Sequence, residues 1–320
     1  MWNKSAIWLF VLLFAACTKK TEVELSVVPC APMPEGRASA CATACDGKAY
    51  IFGGRDADGT YRNELWEYDA AKNTWSVIKT PLKARVHASI ATYGKAIYLG
   101  LGFTGQVYVD SCYMRDWWRY TPATGEWKKL KKFDSPRTIG NTTYVVGNRI
   151  YAIYGADGCF SRHIHYYDID QDEWTNEEES HLRAKSGFGG VGAQVQGRCF
   201  YGLGNNTDNL TQWYEADLPA DKWTKKRDIP SKGRTLGACC ATNEYIYVFG
   251  GRCFRGEYTE GEVFPDYYRY DPSNDTWAYC GRMPCGSAEN LVAFTINGKA
   301  YFGLGENTDG KLIKQLYRIE

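Results

Sequence analysis

The chain has 320 residues, with 38 Lys and Arg against 37 Asp and Glu, so it lacks the basic surplus expected of a nucleic-acid binder. Aromatic residues make up 15% of it and no long helical periodicity is visible, which points to an all-β chain. Its length would allow two domains, but an internal repeat reduces the expectation to one.

Residues 1–16 read as a targeting segment: Lys4 gives a short positive start, and Ala6 to Ala16 is an apolar run too short to span a membrane as a mature helix. The run ends Leu12-Leu13-Phe14-Ala15-Ala16-Cys17, which resembles a bacterial lipoprotein box, with Phe14 where an aliphatic residue is usual. Cleavage would leave Cys17 as a lipidated amino terminus and residues 17–21 as a tether. An ordinary signal peptide cut nearby is the other reading. The resemblance implies a protein of the bacterial cell envelope, expected as an outer-membrane lipoprotein facing the periplasm or the cell surface. Removing residues 1–16 removes Lys4 alone and leaves 37 basic against 37 acidic residues, so any electrostatic function must come from local patches. Eleven of the twelve cysteines then remain besides Cys17, an odd number that excludes complete internal pairing. Cys280 and Cys285 flank a loop that a disulfide could close; the other reading is small buried hydrophobes.

Residues 22–28, Glu-Val-Glu-Leu-Ser-Val-Val, alternate like a strand. From there the chain repeats. Tyr50, Tyr98, Tyr151, Phe200, Tyr247 and Tyr301 each stand four residues before a glycine, at Gly54, Gly102, Gly155, Gly204, Gly251 and Gly305. The copies are roughly 47 to 54 residues apart. Closing tryptophans follow at Trp75, Trp127, Trp174, Trp223 and Trp277, and the sixth copy has none. Asn73, Gly125, Asp172, Asp221 and Asp275 sit two residues before those tryptophans, and these types tolerate a left-handed turn. The pattern resembles a kelch-repeat β-propeller, over nearly all of residues 22–320.

The resemblance implies six blades of four antiparallel strands. In blade 1 the expected strands are 38–44, 49–52 and 65–68, with the fourth carrying Trp75. The sixth copy lacks an outer strand, so residues 22–28 are expected to complete it and so close the ring. The tyrosine and tryptophan rows are read as packing between blades.

Two residue sets should converge on one face. Arg37, Arg85, Arg137, Lys185 and Arg234 stand 13 to 15 residues before the registered aromatic, where the inner strand begins. They would ring one end of the channel. They would either tie down loop carbonyls or receive a carboxylate or phosphate. The sixth position offers Glu289, a candidate salt-bridge partner or general acid/base. The second set lies on the two longest loops, of blades 2 and 5. These carry the candidate ligand-binding residues Phe103, Tyr108, Arg252, Phe254 and Tyr258, together with Tyr113, Phe264, Arg115 and Arg255. The other reading is loop self-packing.

No cofactor or metal is expected. His163 and His165 would project to one side of a strand, but further ligands would have to come from Asp157 or Cys159. The Asn-Thr-Asp loops at 206–208 and 307–309 read as turn formers. Copper radical oxidases of the kelch class need more blades and an extra domain. No Ser-His-Asp order, phosphate loop or dinucleotide fingerprint is present.

The reading that leads is a non-catalytic, membrane-anchored kelch propeller that binds a ligand, an anionic sugar or an envelope protein, through the loop face. The alternative is a sugar mutarotase or epimerase. The N-acetylneuraminate epimerase/mutarotase family is also a six-bladed kelch propeller, and Arg37, Arg85, Arg137, Arg234 and Glu289 are similar in type to what such chemistry needs.

Overall fold

The structure, a computed structural model, describes residues 21–105, 109–134, 138–156, 163–179 and 187–320. Cys17, Tyr108, Arg137, Lys185, Asp157 and Cys159 lie outside the described residues, as does the side chain of Tyr258.

Six four-stranded sheets form a ring. Blade 1 consists of Cys41–Cys45, Lys48–Phe52, Leu65–Asp69 and Thr74–Ile78, all antiparallel. The next four blades repeat that order, and neighbouring inner strands touch all the way round. Blade 5 adds a hairpin, Arg252–Arg255 with Glu257–Val263, between its second and third strands.

The chain ends do close the ring, with different boundaries from those expected. The strand that joins blade 6 is Val27–Pro29, antiparallel to Leu316–Ile319, with flanking backbone bonds at Ser26, Cys30 and Met33. Upstream, Glu22 bridges Tyr279 of blade 5 in parallel, with Tyr279 donating to the Thr21 carbonyl at 2.8 Å and Val23 donating to the Tyr279 carbonyl at 2.9 Å. The seven alternating residues are therefore shared between two blades, and Leu25 and Val27 pack into the core between them.

The registered glycine has a steric cause. At Gly54, Gly102, Gly155, Gly204, Gly251 and Gly305 the backbone φ runs from 82° to 100°. A Cβ there would come within 2.3 to 2.9 Å of the carbonyl oxygen of the segment entering the same blade. Only glycine allows both the left-handed conformation and that approach.

The closing turn is also set by its side chains. Asn73, Gly125, Asp172, Asp221 and Asp275 all have positive φ. Tyr68, Tyr167 and Tyr270 donate to the side chains of Asn73, Asp172 and Asp275 at 2.7, 2.7 and 2.8 Å. The same oxygens accept the backbone N–H of Ala31, Lys131 and Arg227 from the segment between blades. Trp75 and Trp277 donate to the carbonyls of Ala31 and Arg227, both at 2.8 Å. The aromatic rows thus clamp each blade to the connection that precedes it, as packing residues with a polar handle.

All ten described cysteines are free thiols. The loop between Cys280 and Cys285 is held by backbone bonds, Met283 to the Pro265 carbonyl and Gly286 to the Met283 carbonyl, rather than by a disulfide. Burial pushes the Cys280 thiol up to about 12.

Candidate functional site

At one end of the channel, six residues form a collar: Ser39, His87, Gly140, Gly189, Leu236 and Asn290. All have φ between 52° and 64°, in the left-handed region. Five backbone bonds of 2.8 to 3.2 Å link them from blade to blade: Ser39 to Asn290, His87 to Ser39, Gly140 to His87, Leu236 to Gly189 and Asn290 to Leu236, each N–H to carbonyl. Left-handed conformations in four non-glycine residues cost about 1–2 kcal/mol each. The linking hydrogen bonds offset part of that cost.

Next to the collar, the residue after each registered glycine bridges the residue before each collar position. These bridges are Arg55 with Ala38, Phe103 with Val86, Ala156 with Ile139, Asn205 with Phe188, Arg252 with Thr235, and Glu306 with Glu289. The mouth is therefore built from equivalent backbone pairs, and its chemistry depends on which side chains occupy them.

Those side chains divide the mouth in two. Blades 5, 6 and 1 form an ionic half. Arg252 donates to both oxygens of Glu289, at 2.7 Å from Nε and 2.5 Å from Nη2. Arg55 of blade 1 pairs with Glu306 of blade 6, and Asn290 donates to the other Glu306 oxygen at 2.9 Å. Blades 2 to 4 form an aromatic half. The His87 and Phe188 rings meet edge to face, 6.0 Å between centroids, on either side of Gly140. A cavity of about 190 Å³ lies within the collar, lined by Ser39, Cys41, His87, Phe188, Leu236 and Asn290 among others, with the two ion pairs outside its lining. Below it the channel widens to about 360 Å³ among Thr43, Thr92, Thr143 and Gln194.

Burial pushes the His87 imidazole down to about 4, and the positive charge of Arg55 acts in the same direction. The ring is therefore neutral at pH 7. Among the described residues, neither ring nitrogen has a hydrogen-bond partner.

The basic residues expected to ring the mouth divide differently. Arg37, Arg85 and Arg234 are 1%, 0% and 0% exposed. Arg85 donates to both oxygens of Asp116, at 2.6 and 3.0 Å, and to the carbonyls of Lys83 and Leu101. Arg234 pairs with Asp266 at 2.8 Å, donates to the Gly250 carbonyl and lies over the Phe264 ring at 4.3 Å. Arg37 pairs with Glu35 at 2.8 Å and Glu64 at 3.4 Å. A buried guanidinium needs such partners, and these three are ion-paired within the scaffold, with the Nε of Arg234 buried without a partner among the described residues. Burial would raise the Asp116 carboxyl, but Arg85 outweighs it and holds the group below its ordinary range.

The long loops also divide. Phe103 is buried against Tyr113, 5.2 Å between centroids, with Val86 and Ile139, so the described part of the blade 2 loop packs on itself. In blade 5, Phe254 is half-buried and its backbone is fixed by Asn209, which accepts from its N–H at 2.9 Å and donates to its carbonyl at 2.8 Å. Glu289 and Arg252 do reach the mouth. Their partner pair Arg55 and Glu306, and the ring of His87, were not visible from residue type. Registering the residue after each glycine across the copies reveals the first two.

His163 and His165 share one side of their strand, with rings stacked 5.7 Å apart. His165 is buried against Phe133, and burial pushes its imidazole down to about 4, with His163 adding to the effect. Asn307 caps its own turn by accepting the N–H groups of Asp309 and Lys311, which accounts for the Asn-Thr-Asp loop.

A family model described as the KLHDC2/KLHL20/DRC7 Kelch-repeats domain matches residues 11–205, and the Kelch motif matches residues 233–284. N-acetylneuraminate epimerase 1 of Escherichia coli O6:H1 (strain CFT073) is 27% identical over 309 residues, 89% of this chain and 76% of that protein. Kelch-like protein 25 of Xenopus tropicalis is 25% identical over 268 residues, 81% of this chain and 43% of that protein, so the chain spans under half of that relative. The solved structure of YjhT is similar with a TM-score of 0.75 at 17% identity, covering 89% of this chain and 95% of that one, a likeness of fold.

Proposed function

The chain belongs to the kelch-repeat family, and from that premise we propose that it binds an acidic sugar at the channel mouth. The observation that carries this reading is the two-sided mouth. Phe188 offers a face for the C–H surface of a sugar ring. Glu306 and Asn290 offer acceptors and a donor for hydroxyls. Arg55 offers positive charge: its side chain is 30% exposed, and its pairing with Glu306 runs through one terminal nitrogen of a group with five N–H donors. A sugar carboxylate has room for a charge-assisted bond there. The sugar-related role is further supported by the resemblance to N-acetylneuraminate epimerase 1 along most of the chain. Arg37, Arg85 and Arg234 we assign to the scaffold, because they are buried and ion-paired within it.

The same proposal keeps the protein in the bacterial envelope, exported and anchored through a lipid on Cys17. Loss of membrane partitioning in Cys17→Ser checks that part; full retention contradicts it. An envelope protein as the partner, in place of a sugar, is an outcome of the binding test below.

Within the acidic-sugar reading Glu289 positions the mouth. Both of its oxygens are held by Arg252. Mutarotation is the second reading, favoured by the neutral, unpartnered His87 at the same cavity.

Isothermal titration of the full chain tests the site with N-acetylneuraminate, glucuronate and neutral N-acetylmannosamine. Saturable binding of the acids, with the neutral sugar at least about 10-fold weaker, is expected from loss of one charged hydrogen bond. Absence of binding by all three at millimolar concentration sinks the acidic-sugar reading and leaves a protein partner.

A further inference from the structure

Resting on the acidic-sugar reading, we infer that His87 is the group that carries the proton when the bound sugar opens and closes its ring. The inference begins with placement. His87 is the collar residue of blade 2, and both of its backbone polar groups are spent on neighbours: its N–H on the Ser39 carbonyl and its carbonyl on the Gly140 N–H, each at 3.0 Å. Its φ of 52° is one that a side chain adopts at a cost. The collar therefore fixes where the ring leaves the backbone, and Phe188 packs on it edge to face. The imidazole lines the mouth cavity and makes no hydrogen bond to any described residue. Every other ionisable side chain placed above at the mouth is paired: Arg252 with Glu289, and Arg55 with Glu306. That leaves His87 as the base there outside an ion pair, since the Cys41 thiol lining the same cavity is pushed up to about 12 by burial.

In the step, a ring nitrogen of His87 takes the proton of the anomeric hydroxyl. The bond from the anomeric carbon to the ring oxygen breaks, its electron pair passes to that oxygen, and a water protonates it, leaving hydroxide. The anomeric carbon becomes a carbonyl carbon. Closure from the other face adds the chain hydroxyl to that carbon. Hydroxide takes the hydroxyl proton and the imidazolium returns its own to the carbonyl oxygen. Protons balance over the cycle, and no cofactor is needed.

The charges around His87 make this step depend on the ligand. With the mouth empty, burial and Arg55 both oppose protonation of the ring. A sugar carboxylate against Arg55 cancels part of that opposing charge, with Glu306 on the far side of the same arginine. The imidazole becomes more basic when the acid is bound, which moves it toward the range in which a general base works well at neutral pH.

Exchange spectroscopy on the two anomers of N-acetylneuraminate reads the rate directly. The full chain is expected to speed exchange over buffer alone. His87→Gln is expected to lose at least about 100-fold of that acceleration while its affinity, read by titration, stays within a few-fold. His87→Asn is the second variant, since asparagine is the residue native to this collar position in blade 6 and accepts the same φ. A second readout is proton uptake on binding, measured near pH 5.5 in buffers of different ionisation enthalpy. Uptake in the native chain that disappears in both variants supports the role. Binding without accelerated exchange, or variants that exchange as fast as the native chain, overturns the role of His87 and leaves the binding site standing. Absence of sugar binding takes down both.

Discussion

Arg85 and Arg55 occupy repeat positions at the same end of the channel, and their surroundings differ. Arg85 enters its blade beneath the collar, is 0% exposed, and spends its fork on Asp116 and two carbonyls. Arg55 follows a registered glycine, its side chain is 30% exposed, and it reaches across to the next blade. Removing the first takes a fully buried guanidinium away from Asp116, whose side chain is 26% exposed and keeps the Trp118 indole bond; removing the second leaves Glu306, 10% exposed, with Asn290 as its donor. The comparison teaches that a row of arginines in sequence is no guide to recognition until the carboxylates facing each one are known.

The largest effect lies in the ring that gives both arginines their places. Deleting residues 21–29 removes the outer strand of blade 6 and the bridge to Tyr279. Two edges open and Leu25 and Val27 leave the core. Thermal unfolding should lose its single cooperative transition or shift down by many degrees; an unchanged melting curve would contradict the closure. Next comes Arg85→Ala, expected to cost about 3–5 kcal/mol in urea unfolding, because it empties a fully buried site and breaks the two-pronged pair with Asp116 and two carbonyl bonds. A cost below about 1 kcal/mol would erase the distinction from Arg55→Ala, which leaves the buried Glu306 with Asn290 as a donor and is expected to cost about 1–3 kcal/mol.

Histidines sharpen the same contrast. His87 and His165 are both pushed down to about 4 from an ordinary value near 6.5. The unfolded chain therefore takes up protons near pH 6.5, and the folded chain does so only near pH 4. Stability should be intact above pH 6.5 and should fall as pH drops from 6.5 to 4. The loss is at most on the order of 3 kcal/mol for each histidine. His165→Phe, at the buried position, should flatten part of that slope in urea unfolding at several pH values. A slope unchanged by His165→Phe would place the acid sensitivity elsewhere. The smallest expected effect is Trp277→Phe, which loses the bond to the Arg227 carbonyl for about 1 kcal/mol.

The blade pattern was legible because each recurring residue has a local job. The registered glycines answer a carbonyl at close approach, and Asn73, Asp172 and Asp275 answer both a left-handed turn and a tyrosine hydroxyl. The mouth was harder to read. What Arg37, Arg85 and Arg234 do depends on Glu64, Asp116 and Asp266, far along the chain. A signal did exist: in blades 1, 2 and 5 a carboxylate stands four residues before Tyr68, Tyr120 and Tyr270. Glu306 stands beside the Asn-Thr-Asp turn and His87 is one histidine among four, and nothing in a linear pattern shows that either reaches the mouth. The extent of the closing strand was misjudged for a related reason, since alternation cannot reveal that one extended segment crosses from blade 5 to blade 6.

The claim that the half-exposed arginine, and not the buried ones, meets the ligand is tested most directly by titrating N-acetylneuraminate into the native chain and into Arg55→Ala under identical conditions. The account predicts saturable binding to the native chain and at least about 10-fold weaker binding to the variant, with the variant's fold intact by thermal unfolding. Equal affinity in the two proteins, or no binding by the native chain, would contradict it.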